Sequence, residues 1–211
     1  MQPVKEIVLK FYNPFTPRWF DRSMFDYIPQ GKVLNVGSGS TKLREDIINL
    51  DIVNYPNVDI VADAHSLPFE DAYFDGVFCN AVLEHTQRPW IVAGEIQRVL
   101  KKGGTLCVAT PFLEGVHDEY DFFRFTLKGL RSLFPDIQEI KSGVTGSTAS
   151  ILADLLRVFP ILVFENTFLH WPIAFIMSWL AKPFQYLDFA IRKSPSMPKY
   201  ARAFYLVGIK I

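Results

Sequence analysis

The stretch VLNVGSGS, residues 33–40, runs four mostly apolar residues into two glycines one position apart, Gly37 and Gly39. A turn that bare, between a strand and a helix, lets a ligand's polar groups approach main-chain N–H groups, so it points to a bound cofactor. Two acids follow at corresponding places. Asp51 ends the apolar run IINLD, and a carboxylate at a second strand's C-terminal end can accept both hydroxyls of a ribose. Asp63 ends VDIVAD, in position to meet an adenine edge, because ligands of open α/β sheets sit beyond the strands' carboxyl ends. A dinucleotide fingerprint would have its third glycine at position 42, where Lys42 stands, so a pyrophosphate-binding turn is not supported. A cofactor that carries an amino acid asks for less.

Two further clusters hold titratable groups. His85, in LEHT, follows the fourth apolar strand, and histidine is the side chain best suited to proton transfer near neutrality. In TPFLEGVHDEYDFFRFT, the spacing H-x-x-x-D-x-x-R would bring His117, Asp121 and Arg124 together if the segment were helical. That stretch is expected to be a lid: an Asp121–Arg124 pair fixes the loop while His117 and Tyr120 face an acceptor. Three metal ligands at compatible spacing are not evident, and no metal is expected.

The elements that must position these groups follow from the pattern of short apolar runs. Strands are expected at 33–36, 48–51, 58–61, 76–79, 105–110, 137–140 and 203–209, separated by helical or loop segments, as in a parallel α/β sheet. The clearest helix is 90–100, with Ile91, Val92, Ile96, Val99 and Leu100 on one face, and Lys101, Lys102, Gly103 and Gly104 reading as its C-terminal stop. A shorter helix, 127–134, starts after Thr126 as N-cap and stops before Pro135. Residues 16–28 read as a helix over the cofactor end.

Composition bounds the rest. Lys plus Arg and Asp plus Glu are 22 each, so no global field favours nucleic acid. Cys79 and Cys107 sit in apolar runs as small buried hydrophobes, with no disulfide framework. Lys5, Glu6, Lys10, Pro14 and Pro17 interrupt the first residues, so a secretory signal is not expected and a cytoplasmic location is. The length suits one domain, 1–211, with residues 151–191 as an apolar helical insertion. Those residues hold nine aromatics against five charges, and Pro160, Asn166 and Pro172 break the most apolar part into arms too short to span a bilayer. Three readings stay open for this hairpin: extra core, a homodimer surface, or peripheral contact with a membrane's inner face. The basic flank Arg192, Lys193, Lys199 and Arg202, with Trp171 and Trp179, supports the third.

Taken in order, VLNVGSGS, INLDI, VADAHSLPF, FDGVFCNAVLEHT and EIQRVLKKGGTLCVATP resemble a class I S-adenosylmethionine-dependent methyltransferase of the small type-11 kind, over roughly residues 32–111. The resemblance implies an enzyme with a Rossmann-like three-layer sandwich and a seven-stranded, mostly parallel sheet with an antiparallel last strand. It implies S-adenosyl-L-methionine as cofactor: Gly37 and Gly39 facing the methionine moiety, Asp51 with Ile52 at the ribose, Asp63 with Ala64 at the adenine, Asn80 with Ala81 beside the methyl donor. Two positions depart from the family. Asn35 stands where an acid is common, although its amide oxygen could still accept from the donor's ammonium, and Ser40 stands where a third glycine often occurs. Methyl transfer is an in-line displacement that needs alignment more than any one residue type. His85 is the candidate base for a hydroxyl acceptor, which is expected to be a small molecule or a lipid-linked one. A non-catalytic scaffold that assembles through the hairpin is the alternative.

Overall fold

VLNV at 33–36 is buried at every position, as befits a strand covered on both faces of a parallel sheet. The computed structural model describes residues 22–40, 42–146, 148–163, 170–191 and 193–211. Seven strands, β1 (Val33–Val36), β2 (Ile47–Asp51), β3 (Ile60–Val61), β4 (Phe74–Asn80), β5 (Leu100–Pro111), β6 (Ile137–Thr145) and β7 (Ala203–Lys210), form one sheet in the order β3-β2-β1-β4-β5-β7-β6. β1 lies parallel to β2 and β4, with Val33 opposite both Ile47 and Gly76, while β7 runs antiparallel to β5. The order reverses at β1, so the crevice beyond the carboxyl ends of β1 and β4 is where an open sheet of this topology receives a ligand.

Strand alternation sorts the core into two layers. Val77, Cys79, Leu106 and Val108 pack with Val92, Ile96 and Val99 of helix α1 (Pro89–Val99). Their neighbours Phe78, Cys107 and Ala109 pack on the opposite face with Met24, Tyr205 and Val207. Each free cysteine thus fills one layer, and burial pushes the Cys107 thiol up to about 12 and raises Cys79 as well. Pro89 opens α1 at a position whose N–H would have no intrahelical acceptor. Near the helix end, Arg98 donates to Glu95 and Asp71 and to the carbonyls of Leu67 and Phe69, which ties down the loop after β3.

Two expectations are corrected. The run Lys101–Gly104 does not cap α1; it lies inside β5, whose Leu100 already pairs with Phe74. Gly103 takes φ +78 there, and the register shifts between Phe74 and Gly76, so the glycines serve an irregular strand entry. The last turn of α1 is served by Lys210, whose ammonium donates to the carbonyls of Gln97 and Leu100 at 2.6 and 2.8 Å. The expected helix at 16–28 falls partly outside the described residues, and its described portion is a 3-10 turn, Arg22–Tyr27. Helix α2 (Leu127–Ser132) begins as expected, with the Thr126 hydroxyl accepting from the Gly129 N–H at 3.1 Å.

The described residues divide into two compact units: 22–144 with Ala203–Ile211, which holds the sheet apart from the end of β6, and Thr145–Arg202. In the second unit, helices α3 (Thr148–Val163) and α4 (His170–Ile191) pack on each other. Pro160 does not break α3, which continues to Val163, and Pro172 lies in the first turn of α4, where its missing N–H has no helical acceptor to lose. Asp154 on α3 takes Arg157 and Arg202 on its two oxygens. Among the described residues of these helices the buried positions include Ala153, Pro160, Ala174 and Ala181, whereas Phe159, Leu162, Ile176, Trp179 and Leu180 are more than half exposed. No helix among the described residues is long and apolar enough to cross a membrane.

Candidate functional site

β1 delivers the glycine turn directly onto β2. The N–H groups of Gly37 and Ser38 both donate to the Leu50 carbonyl, at 2.8 and 3.1 Å, and Gly37 takes φ +64. A Cβ on Gly37 would stand 2.3 Å from Cγ2 of Val82, so this position excludes any side chain. Gly39 also has positive φ, +54, but a Cβ there would meet nothing within 4 Å. Open space beside Gly39 and a closed wall beside Gly37 are what a turn that receives a ligand on one side requires.

Asp51 ends β2 with residual exposure of 9%. Its Oδ2 accepts from the Gly39 N–H at 2.8 Å and its Oδ1 from the Val53 N–H at 2.9 Å. A carboxylate offers about four lone-pair sites, so both oxygens retain capacity for a pair of vicinal hydroxyls. Ile52 beside it is 67% exposed, an apolar surface at the same strand end. Asp63 follows β3; its Oδ1 accepts from the backbone N–H of His65 at 2.9 Å and lies 2.7 Å from the ring Nδ1, and the first of these bonds leads in holding the carboxyl below its ordinary range. Asn80 and Ala81 close β4 and are exposed, with Ala81 at φ +55 and its N–H on the Ala109 carbonyl. Asn35 is buried mid-strand; its Nδ2 donates to Asn49 Oδ1 at 3.0 Å, which leaves its own oxygen as the acceptor end.

On the other side of β4 the loops bring distant residues together. His85 ends the 3-10 turn Leu83–His85, and its Nδ1 lies 3.1 Å from the Tyr120 carbonyl oxygen. The His117 ring stands edge-on to the His85 ring, with centroids 5.0 Å apart. Residues 114–124 are not helical, which corrects the expected basis of the H-x-x-x-D-x-x-R cluster. Arg124 gathers the loop instead, donating to the carbonyls of Glu114 and Gly115 and gripping both oxygens of Asp121. The guanidinium, set against the cost of burial, holds the Asp121 carboxyl down to about 2. Tyr120 meets His85 through its main chain, and its residue is 60% exposed.

The residue that sequence reasoning missed is Glu84. Its side chain is fully buried, burial raises its pKa to about 8, and neither carboxylate oxygen has a hydrogen-bond partner among the described residues. Its main-chain oxygen accepts from the N–H groups of Phe122 and Phe123, which stitches the lid to the turn after β4. Glu84, His85 and His117 offer ligand atoms that all lie within 4.8 Å of one another.

Residues 35–108 match the methyltransferase domain family. The chain is 31% identical over 152 residues to the demethylmenaquinone methyltransferase of Renibacterium salmoninarum, covering 63% of this chain and 62% of that one. It is 30% identical over 140 residues to a ubiquinone/menaquinone biosynthesis C-methyltransferase of Pasteurella multocida, covering 63% of this chain and 48% of that one. The chain therefore spans about half to three fifths of the length of these relatives. Among solved structures, a SAM-dependent methyltransferase from Thermotoga maritima superposes with a TM-score of 0.58 at 16% identity, covering 100% of this chain and 97% of that one, a likeness of fold. Residues 35–108 thus carry a methyltransferase-domain match within a sheet that has the fold of S-adenosylmethionine-dependent methyltransferases.

Proposed function

We propose that this protein is an enzyme that moves a methyl group from S-adenosylmethionine to a lipid-linked or small-molecule acceptor. The observation that carries the reading is Asp51, which braces the glycine turn through Gly39 while both of its oxygens keep lone pairs for a ribose. Gly37 and Gly39 would take the methionine moiety, with the Asn35 oxygen toward its ammonium, while Ile52 would lie beside the ribose and Asp63 with Ala64 beside the adenine. Asn80 and Ala81 would border the methyl donor. The bound cofactor supplies an electrophilic methyl on a sulfonium, so this chain's task is to hold the acceptor in line and to remove its proton. With Nδ1 turned to the Tyr120 carbonyl, His85 presents Nε2 as the proton acceptor, and His117 and Tyr120 bound the acceptor from the lid.

Two observations favour an acceptor with lipid character. The relatives' names concern quinone biosynthesis, and the second unit carries exposed Phe159, Trp179 and Leu180 with exposed Lys193 and Lys199, groups suited to an anionic lipid surface. On this reading the protein is peripheral to a membrane, and the helical segment is an insertion in a single methyltransferase domain.

Calorimetric titration of S-adenosylmethionine and S-adenosylhomocysteine tests the cofactor site. Both should bind, and Asp51→Ala should weaken them by at least about tenfold, the worth of a hydrogen bond to a charged group. A folded protein that binds neither would overturn the proposal in favour of a scaffold. Flotation with anionic vesicles against neutral ones, read beside the dimer content in plain buffer, separates a membrane role from self-association.

A further inference from the structure

We propose that Glu84, His85 and His117 form a site for one divalent transition-metal ion of the zinc class. The Nδ1 of His85 faces only the Tyr120 carbonyl, at 3.1 Å, so Nδ1 carries the proton and Nε2 carries the lone pair. The Nδ1 of His117 faces two acceptors, the Gly115 carbonyl at 3.3 Å and Asp121 Oδ2 at 3.2 Å, which sets the same tautomer. Asp121 is in turn gripped by Arg124, giving the carboxylate–imidazole support that metal-binding histidines carry behind them. Arg124 adds no uncompensated positive charge, because Asp121 matches it.

Glu84 completes the set. Its Oε1 lies 3.8 Å from His85 Nε2, both of its oxygens are buried, and neither has a donor among the described residues. Three potential ligand groups therefore converge with no donor from another residue among the described ones, and a cation in place of the Glu84 proton resolves the arrangement. Two imidazoles and one carboxylate suit zinc and its first-row neighbours, whereas magnesium and calcium prefer all-oxygen shells. Ligands of a tetrahedral ion with bonds near 2.05 Å stand about 3.4 Å apart, so the present spread of up to 4.8 Å must contract. His117, on the exposed lid loop, is the ligand that has to shift inward.

Three protein ligands leave one position for water or for the acceptor's oxygen, whose proton the ion would make easier to lose. In that state the ion replaces His85 Nε2 in preparing the acceptor, and the proton leaves to solvent. This use of the ion rests on the methyl-transfer reading; its binding does not.

The test uses the full, untagged chain, stripped with chelator and free of S-adenosylmethionine. Cobalt(II) serves as the spectroscopic probe and zinc is titrated in competition with a chromophoric chelator. One ion per chain is expected, with the visible absorption of low-coordinate cobalt. His117→Ala should weaken zinc by at least about a hundredfold and the near-isosteric Glu84→Gln by at least about tenfold, while His65→Ala leaves the affinity unchanged. Absence of stoichiometric binding overturns the proposal, as does binding that survives both substitutions or follows His65. If Glu84→Gln fails to fold, His117→Ala decides alone. Either result leaves the cofactor titration of Asp51→Ala to stand or fall by itself.

Discussion

The two ends of the candidate site are built on opposite terms. At the cofactor end the main-chain donors are engaged before any ligand arrives, Gly37 and Ser38 on Leu50, Gly39 and Val53 on Asp51, His65 on Asp63, while the buried Asn49 Nδ2 and His65 Nε2 have no partner among the described residues. Ligand capacity there is spare lone pairs on a fixed frame. At the acceptor end, Glu84 and the two histidines converge with their acceptors unmatched, and the frame is a loop held by Arg124. The first arrangement selects by shape and pays little to bind; the second holds an unmet demand, which is where a further component belongs.

The largest effect expected is that of Gly37→Ala. It forces a side chain into φ +64 and into Val82, and S-adenosylmethionine affinity should fall by at least about a hundredfold in calorimetry. A harmless Gly37→Ala would break the claim that the cofactor end is rigid. Next comes Arg124→Ala, which strips the buried Asp121 of its partner; chemical denaturation should show a loss of about 2 kcal/mol, with cofactor affinity nearly unchanged. A loss of cofactor binding instead would show that the two ends are not independent. Asp51→Asn retains one acceptor oxygen and should lower affinity about tenfold. Gly39→Ala meets open space and should cost only the conformational strain, about 1 kcal/mol of stability. The smallest effect concerns the thiols: Cys79 and Cys107 should resist a thiol reagent in the native state and react fully once unfolded.

The same contrast governs what could be read from sequence. The strand ends at Val36 and Asp51, and that of β4 to within one residue, were legible because apolar runs and turn residues are local signals, and local signals position the cofactor end. The run Lys101–Gly104 misled for the converse reason. Its basic residues and glycines satisfy the rule for a helix stop, but pairing of Leu100 with Phe74 is a non-local contact that overrides it. Glu84 was invisible as a functional group because its burial is a tertiary property, and the residues that bond its carbonyl, Phe122 and Phe123, lie far along the chain. His117 and Asp121 were named together correctly, yet by a helical spacing that the loop does not use; Arg124 supplies the geometry instead. Likewise Pro160 marked a break that α3 does not make.

The position of β7 between β5 and β6 constrains the order in which this chain can mature. β5 is synthesised with one long edge that only residues 203–211 will occupy, and β6 has no neighbour in the sheet until they do. Between those events the ribosome must deliver the whole apolar helical pair. The nascent chain thus carries an open strand edge and a greasy hairpin together, the combination that recruits chaperones and invites aggregation. Any truncation before Ala203 should trap the protein in that state, however intact its cofactor motifs are.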